Sequence, residues 1–492
     1  MRKLYIDNIR WITVVLVVLY HVIYMFNGIE TFGVIGPFSD VQYQDAFQYI
    51  VYPWFMLLLF VISGMSARYE LEHRSEKEFI KKRTGKLLVP STLGLLVFWW
   101  ILGYYNLLIS GGLEEMAAVP KPVLFIIMAV SGIGPLWYIQ MLWIFSVLLV
   151  WIRRVEKDRL WKLGEKADVP FLVLFAIVIW GAAQILNTPM VVVYRFGIYG
   201  AGFFVGYFVL SHDEVMDRLE KCWLPLAVCV VILAAAFTVL YWGRPYAEHS
   251  VLDTSLCSLF AWIAVIAALA FMKKWGDISN TLTRWMAAKS WGLYLFHYLF
   301  IAMTAYYLTM YTKLPAVLLY LFVAAAGFAG AYLAYEIIRR IPVLRWNLRK
   351  EKIMFAENLI QLRKLNHMSQ DELADQIGVS RQTLSKYETG ESLPDIERCK
   401  RLADIFGVTV DDLINYEKKD SLGLEVPPKG KHIFGMVKVG EKGQIVIPAK
   451  ARKIFDIKPG DNLIVLGDEG QGIALIKEKG LLDLLKAARE EH

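Results

Sequence analysis

The stretch RWITVVLVVLYHV, residues 10–22, places an arginine and a histidine in a run that is otherwise apolar. With its neighbours the run is long enough to cross a bilayer as a helix. Eleven steps of about 100° bring Arg10 and His21 onto one helix face, about 16 Å apart along the axis. Asp7 lies on the same face, one turn before Arg10. Because ionisable side chains inside a membrane are costly, this face is a candidate functional site.

The rest of the sequence divides into an apolar part and a soluble part. Of 492 residues, 57% are hydrophobic, and the long apolar runs end near residue 340. We predict a mainly α protein with a ten-helix polytopic membrane bundle over 1–345. A small all-α domain at 354–417, a linker at 418–434 and a small β-rich domain at 435–480 follow it. The predicted spans are 9–27, 45–66, 87–109, 135–152, 170–187, 191–210, 223–242, 252–272, 290–311 and 315–338.

The distribution of basic residues predicts the orientation of the bundle. With a cytoplasmic N-terminus, the inside segments hold 22 Lys and Arg and the outside loops hold 3. The positive-inside rule therefore places both termini in the cytoplasm and the protein in the cell (plasma) membrane, in contact with membrane lipid. We expect the first helix to be retained, since no small-residue cleavage site precedes it. Residues 110–134 are predicted to form a re-entrant or interfacial segment.

The net charge of +7 does not by itself indicate nucleic-acid binding. Through Ile353 the chain has 32 basic and 23 acidic residues, whereas the remainder has 21 and 23. The positive excess thus belongs to the membrane part, where it sets orientation. The four cysteines form no CxxC pair and no metal-ligand spacing, so we predict neither a metal site nor a disulfide framework.

Several motifs occur in an order typical of one enzyme family. After YIDNIR come the Arg10 and His21 pair, FMLLLFVISGMSARY, FIKKRTGKLLVP, GPLWYIQ and WGLYLFHYLF. Over about 340 residues this series resembles the acyltransferase-3 family of integral membrane O-acyltransferases, especially its glucan-modifying relatives. Two positions depart from the family pattern: Gly134-Pro135 replaces a version containing histidine, and Met65 replaces the commoner Phe.

The resemblance implies transfer of an acyl group, usually acetyl from acetyl-CoA, to a hydroxyl of an extracytoplasmic glycan or lipid-linked sugar. No permanently bound cofactor is expected, and acyl-CoA is the co-substrate. A neutral imidazole suits deprotonation of the acceptor, so we assign His21 as general base; an acyl-histidine intermediate is the alternative. Arg10 would hold the donor, with Asp7 orienting it. The competing interpretation is an interfacial Arg10 and a histidine that only packs.

Further charged and aromatic residues of the membrane part are candidates for a supporting role. Arg83, Lys82 and Lys86 would steer the CoA phosphates, although a role in setting topology is the favoured alternative. His297, counted from the predicted start of its span, should lie lower in the membrane than His21. It is a second-site candidate or a helix-packing contact. Arg195 is a candidate for the same second site, where it would touch the sugar; the alternative is that it extends to the interface. Trp137 is the third candidate for that site, although the favoured role for Trp137 and Tyr138 is to anchor the interface.

The first soluble domain has helical periodicity interrupted at IGVS and TGESLPD. It resembles the Cro/phage-repressor (Xre-type) helix-turn-helix, with SRQTLSKYE as recognition helix and Ser369 with Glu372 as a capping box. Leu384 and Tyr387 should face inward. The alternative is a helical protein-interaction module. The resemblance implies binding of double-stranded DNA through Gln370 on a phosphate and through the recognition-helix residues Arg381, Gln382, Thr383, Ser385 and Lys386.

The second soluble domain, GMVKVGEKGQIVIPAKARKIFDIKPGDNLIVL, has short β-rich runs and a KPGD turn. It resembles the SpoVT/AbrB looped-hinge domain, which implies a swapped-hairpin homodimer. Gln444 stands where some members have arginine, so this domain either binds DNA weakly or only dimerises. Its basic positions are Lys438, Lys442, Arg452 and Lys453.

The fusion allows more than one function for the whole chain. The first hypothesis is a membrane O-acyltransferase with an attached DNA-binding regulator. The second is a membrane-tethered transcription regulator whose membrane half is a non-catalytic sensor. A third is that Met354 starts a separate regulator. The presence of both Arg10 and His21 favours the first.

Overall fold

The computed structural model describes residues 3–29, 33–188, 193–338, 340, 346–415, 437, 439–440, 443–468 and 472–477. The chain forms two compact units, Met1–Asn347 and Leu348–His492. The division falls between the predicted membrane domain and the predicted helix-turn-helix domain.

The described part of the first unit is helical. A 3-10 turn at Tyr43–Asp45 precedes α2, and two π-helical segments, Thr84–Leu88 and Leu95–Trp99, flank α4. The helices are α1 Leu4–Tyr24, α2 Ala46–His73, α3 Glu76–Arg83, α4 Val89–Gly94, α5 Trp100–Ile109, α6 Gly112–Glu115, α7 Lys121–Ser131, α8 Leu136–Glu156, α9 Arg159–Gly164, α10 Val169–Ala183, α11 Phe196–Phe208, α12 Asp213–Lys221, α13 Trp223–Tyr241, α14 His249–Leu252, α15 Ser255–Trp275, α16 Thr281–Tyr311 and α17 Ala316–Ile338.

Eight helical stretches of the described residues are long and apolar enough to cross a membrane, with Glu76–Ile109, which runs from α3 to α5, counted as one; they match eight of the ten predicted spans. The predicted spans 170–187 and 191–210 correspond to α10 and α11, which have only 15 and 13 residues. At about 1.5 Å per residue α11 is about 20 Å long, less than the roughly 30 Å hydrocarbon core. An antiparallel bridge between Asn187 and Arg195 takes up residues that the apolar pattern had assigned to helix. Within 110–134, the apolar helix α7 has 11 residues.

Glycines bring α2 and α11 into close contact at the centre of the unit. A Cβ added to Gly64 would lie 1.9 Å from the carbonyl oxygen of Phe203, and one added to Gly206 would lie 2.1 Å from that of Val61. Small residues permit such close approach of helix backbones in membranes. The serine-glycine pair of the quoted VISGM segment thus fixes how α2 packs, and α2 carries polar residues of the site described below.

The second unit begins with five helices that enclose a core of Phe355, Leu359, Leu373, Leu384 and Leu402, among others. They are α18 Trp346–Leu365, α19 Gln370–Ile377, α20 Arg381–Glu388, α21 Ile396–Ile405 and α22 Val410–Asn415. Gly378 ends α19 with φ +70, a left-handed conformation that suits glycine in the tight turn before α20.

The C-terminal part contains a short helix and one hairpin. Helix α23 spans Ala449–Ile454 after Pro448, and strands β1 Leu463–Asp468 and β2 Gly472–Lys477 pair antiparallel from Leu463 with Lys477 to Asp468 with Gly472. The predicted linker 418–434 lies outside the described residues. The hairpin agrees with the predicted β-rich domain, whereas the predicted hairpin exchange between two copies stays a prediction.

The glycine contact leads to a stability prediction. Gly64→Ala should lower the midpoint of thermal unfolding of the full-length protein, because the new methyl group meets backbone that has no side-chain freedom to move. Overpacking of this kind costs about 1–3 kcal/mol or more. Tryptophan fluorescence of the purified protein in detergent provides the measurement.

Gly181→Ala is the matched control, since a Cβ at this helical position meets nothing within 4 Å. Its midpoint should stay the same or rise, because alanine is the better helix former by about 1 kcal/mol. Equal midpoints for the two variants would contradict the proposed packing role of Gly64.

Candidate functional site

Two histidines meet in the interior of the first unit. Nδ1 of His21 on α1 lies 3.3 Å from Nε2 of His297 on α16, and the ring centroids are 5.0 Å apart. His297 is completely buried and His21 partly so. Tyr298 and Tyr20 pack on His21 with ring centroids at 4.8 and 5.1 Å.

The prediction that His297 lies lower than His21 is wrong. It counted turns from residue 290, but α16 begins at Thr281. His297 is therefore 16 residues, about 24 Å, into its helix. His21 is 17 residues, about 26 Å, into α1, which begins at Leu4. The two side chains can therefore reach the same level, and the structure pairs them.

Hydrogen bonds to backbone carbonyls define the proton positions on both rings. His297 Nδ1 lies 3.0 and 2.8 Å from the carbonyl oxygens of Leu293 and Tyr294, and His21 Nδ1 lies 2.7 Å from that of Val17. A carbonyl only accepts, so in each neutral ring Nδ1 carries the hydrogen. His297 Nε2 is then an acceptor for the shared Nδ1 hydrogen of His21. The second nitrogen of His21, Nε2, carries the lone pair that a general base needs.

Arg10 begins the polar face of α1 at its other end. Its guanidinium pairs with Asp7 at 3.0 Å and donates to the Ser66 hydroxyl on α2 at 2.8 Å. The side chain is 38% exposed, so part of the guanidinium remains accessible to a ligand. The predicted association of Asp7 with Arg10 is present, and Ser66 is a partner that the sequence analysis did not identify.

Polar groups of three helices lie between these two ends. The Ser63 hydroxyl on α2 is 2.9 Å from the Tyr138 hydroxyl on α8, and the Tyr294 hydroxyl on α16 donates to the Pro135 carbonyl at 2.6 Å. The rings of Tyr138 and Tyr294 are 5.4 Å apart. The motifs ISGMS, LWY and LYLFH contain these residues, but only the folded structure brings them beside one another.

Trp137 and Tyr138 do not match their predicted place at the membrane interface. Both are buried, because the first turn of α8 packs against other helices rather than ending at the surface. The Trp137 ring lies 5.4 Å from that of Tyr199 and 6.2 Å from that of Phe60. Trp137 and Tyr138 belong to the aromatic core around the polar groups that lie between Arg10 and His21.

The basic segment that precedes the first π-helical turn is organised by one carboxylate. Glu70 pairs with Lys82 at 2.7 Å, with Arg83 at 3.5 Å and with Arg74 at 3.8 Å. One negative charge thus faces three positive ones. Arg83 also lies close enough to Arg10 for electrostatic repulsion between them, and Lys86 is exposed. The arrangement leaves surplus positive charge beside Arg10, as an anionic donor would require.

Arg195 neither extends to an interface nor is open to a sugar. Its side chain is buried, and its guanidinium donates to Asp253 at 2.8 Å and to the Leu252 carbonyl at 3.2 Å. Asp253 in turn contacts His249 at 3.1 Å. Pairing with a carboxylate compensates the cost of burying the charge. Among the described residues no group of three or more His, Cys, Asp or Glu side chains is arranged to hold a metal ion.

In the second unit the predicted capping box is present. The Ser369 backbone N–H donates to Glu372 at 2.7 Å, and the Glu372 N–H donates to the Ser369 hydroxyl at 3.2 Å. These hydrogen bonds lower the pKa of the Glu372 carboxyl. Leu384 and Tyr387 are buried, as predicted. The capping box therefore fixes where α19 begins, and Leu384 and Tyr387 form the buried face of α20.

The predicted DNA-contacting residues lie on the outer side of α20. Arg381, Gln382 and Lys386 are exposed, and Thr383 and Ser385 are partly exposed. Gln370 donates to Glu388 at 2.7 Å, and Glu388 also pairs with Arg363 at 2.6 Å. The side-chain nitrogen of Gln370 is thus held inside the domain, and a phosphate contact there remains untested.

The basic positions of the C-terminal domain are only partly described. Arg452 is exposed. Lys438 and Lys442 lie outside the described residues, and so does the side chain of Lys453. Their predicted contact with DNA therefore stays a prediction.

Comparison with known proteins identifies three regions. Residues 3–336, more than half of the chain, match the family described as "Acyltransferase domain". The chain belongs to the acyltransferase-3 family. Residues 359–413 match the family "Helix-turn-helix", and residues 436–483 match "Antidote-toxin recognition MazE, bacterial antitoxin". The suspected architecture of three parts is confirmed.

Curated relatives are similar to the chain over short segments. The HTH-type transcriptional activator BcrR of Enterococcus faecalis is 41% identical over 64 residues, 13% of this chain and 31% of that protein. The HTH-type transcriptional regulator AnsR of Bacillus subtilis is 36% identical over 66 residues, 13% and 57% of the two chains. The phage repressor RstR of Vibrio cholerae is 39% identical over 57 residues, 12% and 51%. The matches thus cover about a third to somewhat over half of these relatives. No solved structure matches.

Proposed function

We propose that the first unit transfers an acyl group, acetyl in the first instance, from acyl-CoA to a hydroxyl of an extracytoplasmic glycan or lipid-linked sugar. One observation carries this proposal: the Nδ1 hydrogen of His21 is held by the Val17 carbonyl and His297. That arrangement leaves Nε2 as a base. Family membership supports an acyltransferase, while donor and acceptor are part of the proposal.

The proposed orientation places both termini in the cytoplasm of a cell whose plasma membrane holds the first unit. It rests on the 22 to 3 distribution of basic residues. Arg10 then lies near the cytoplasmic side and His21 beyond the middle of the membrane. Acyl-CoA enters from the cytoplasm, and the acceptor approaches from outside.

The donor is proposed to bind along the polar face of α1. Arg10, oriented by Asp7 and Ser66, and Arg83 hold anionic parts of CoA, with Lys82 and Lys86 attracting the phosphates. The pantetheine arm extends from Arg10 toward His21, over about 16 Å of helix. The hydroxyls of Ser63 and Tyr138 lie between these ends and provide polar contacts for its amides.

The reaction itself needs one proton acceptor. His21 Nε2 takes the proton of the acceptor hydroxyl as its oxygen attacks the thioester carbonyl. The C–S bond then breaks, and CoA leaves as a thiolate that takes this proton back from His21 Nε2. The imidazolium that forms on His21 donates from Nδ1 to Val17 and His297, which stabilises its charge. His297 is a positioning residue in this scheme.

The His21→Ala variant should lose acetyl transfer. General-base catalysis contributes about 10² to 10⁴ in rate, so a loss of at least 10² is expected. Membranes containing each variant are supplied with radiolabelled acetyl-CoA, and label in cell-surface glycans is measured by mass spectrometry and counting. The His249→Ala variant, which alters a partly exposed histidine away from Arg10 and His21, should lose less than twofold in acetyl transfer.

Full activity of His21→Ala would reject the mechanism. A wild-type protein that transfers no acyl group, while its DNA binding responds to an added ligand, would favour the alternative of a membrane-tethered regulator with a non-catalytic sensor. Acetyl label that stays on the protein when the acceptor is absent, is released by hydroxylamine and is missing from His21→Ala would indicate the acyl-histidine route instead of direct transfer.

The role of His297 can be separated from a structural one by comparing two substitutions. His297→Leu removes the acceptor for the His21 Nδ1 hydrogen, so kcat should fall about tenfold to a hundredfold while KM for acetyl-CoA stays within twofold. His297→Gln offers an amide oxygen and should recover part of kcat. Equal kcat values for both variants and the wild type would exclude the positioning role.

The second unit is proposed to act as a cytoplasmic regulator that binds double-stranded DNA. Support comes from the helix-turn-helix family match and from transcription regulators among the relatives. The exposed side of α20 is the proposed reading surface. A homodimer formed through the C-terminal domain would supply a second reading surface for the other half-site of the DNA. Apolar side chains that are exposed on the hairpin of this domain, such as Val465 and Ile473, are the candidate dimer contacts.

Removing the groove-facing groups should abolish selective DNA binding. Genomic fragments are incubated with the full-length protein in nanodiscs and the bound fragments are sequenced. Arg381→Ala with Gln382→Ala should lose the enriched sequences, since each bidentate base contact is worth about 1–3 kcal/mol of discrimination. Arg401→Ala, at an exposed position on α21, is the control. Unchanged enrichment in the double variant would favour a protein-interaction module.

A further inference from the structure

Buried polar side chains cluster where the segment after α1 joins the start of α2. Gln42, Asp45 and Gln48 are 4%, 2% and 0% exposed. In the proposed orientation this cluster, named here the outer polar cluster, lies on the extracytoplasmic side. None of its members was singled out by the sequence pattern.

Both polar atoms of the Gln42 side chain form hydrogen bonds within the protein. Its Nε2 donates to the Phe26 carbonyl at 2.8 Å, and its Oε1 accepts from the Phe38 N–H at 2.8 Å. Asp45 uses one oxygen, Oδ2, which accepts from the Gly28 N–H at 3.0 Å. These bonds fold the connecting segment over the end of α1 and fix the position of Asp45.

Three buried atoms of the cluster remain without a hydrogen-bond partner within the described residues. They are Asp45 Oδ1 and both polar atoms of the Gln48 side chain, Oε1 and Nε2. Leaving a buried polar group unpaired costs about 1–3 kcal/mol, and more than nine in ten such groups in proteins are paired. A partner from outside the chain is therefore expected here.

The three atoms also indicate the chemistry of that partner. Two accept and one donates, which matches hydroxyl groups, because each hydroxyl can both donate and accept. The Asp45 carboxylate disfavours an anionic ligand. An uncharged, polyhydroxylated ligand satisfies all three atoms.

The cluster is near the candidate base. Gln48 shares a face of α2 with Tyr52 and Phe55, at spacings of four and seven residues. The rings of Tyr52 and Phe55 lie 5.5 and 5.3 Å from that of Tyr20, which packs on His21. Gln48 is thus one to two helical turns outward from the level of these rings, about 5–11 Å.

We propose that Gln48 and Asp45 bind hydroxyl groups of an uncharged sugar acceptor and so position a neighbouring hydroxyl at His21. The inference rests on the proposed function and adds that the sugar acceptor is uncharged and that two residues position it. Gln48 and Asp45 are positioning residues and take no part in proton transfer.

The binding test does not depend on turnover. Full-length protein in detergent is heated with and without methyl glucoside at 100 mM, and the unfolding midpoint is recorded. Methyl glucoside should raise the midpoints of wild type and His21→Ala by a similar amount, and that of Gln48→Leu by less than half as much. Gln48→Leu should fold, since the wild-type side chain makes no hydrogen bond within the described residues. Gln44→Leu, at an exposed position of the same segment, is the matched control and should respond like the wild type.

Equal shifts in all four proteins, or no shift in any, would overturn the inference, because either result separates Gln48 from sugar binding. A rise in the sugar-free midpoint of Gln48→Leu together with an unchanged response would mark Gln48 as a structural residue. Where transfer to methyl glucoside is measured, Gln48→Leu should raise KM for the sugar at least tenfold and leave KM for acetyl-CoA within twofold. If the wild-type protein transferred no acetyl group but methyl glucoside still raised its unfolding midpoint, the result would count against the proposed function and not against sugar binding at Gln48.

Discussion

The hydrogen bond from His21 Nδ1 to the Val17 carbonyl, shared with His297, is the interaction on which the proposed chemistry of this protein depends. A histidine can be a base only through a nitrogen that carries a lone pair. In water either tautomer is available. Inside the helix bundle the carbonyl at 2.7 Å selects one of them, because it accepts a hydrogen and offers none. The backbone of α1 thereby selects the His21 nitrogen that would act as base in the proposed transfer, and His297 on α16 favours the same tautomer.

The proposed role of His21 requires both ends of α1 to keep their positions against α2 and α16. The Ser66 hydroxyl accepts a hydrogen bond from Arg10, and the Ser63 hydroxyl is hydrogen-bonded to Tyr138. The position of α2 therefore determines where polar groups lie between Arg10 and His21. The contact of Gly64 with the Phe203 carbonyl in turn sets the position of α2. One serine-glycine segment therefore combines packing, on its glycine, with polar contacts on the serines either side. The segment from Ser63 to Ser66 therefore contributes both to helix packing and to the polar contacts of the candidate site.

The sequence allowed most of the helices and one face of the site to be predicted, because apolar length and a period of 3.6 residues depend only on local spacing. It failed where the answer depended on neighbours. The level of His297 was misjudged because α16 begins nine residues before its apolar run, with Asn280 as its cap. Trp137 was assigned to the interface because aromatic residues favour it, but tertiary packing buries the first turn of α8. Span six was overestimated because Arg195 forms a bridge to Asn187, so the helix begins only at Phe196.

Some charged groups that are costly to bury are paired within their own domain, as when Asp253 pairs with Arg195 or Glu388 with Arg363. Other buried polar atoms, among them Arg195 Nε and the Tyr320 hydroxyl, lack a hydrogen-bond partner within the described residues, and three such atoms occur together in Asp45 and Gln48. A fully buried glutamine with two unpaired atoms has no such compensation within the described residues. Leucine has a similar size and would avoid the cost, so stability alone does not account for an amide at this position. A ligand hydroxyl that forms the missing hydrogen bonds would remove the energetic cost of burying Gln48. The same hydrogen bonds would make Gln48 selective for ligands that carry such a hydroxyl.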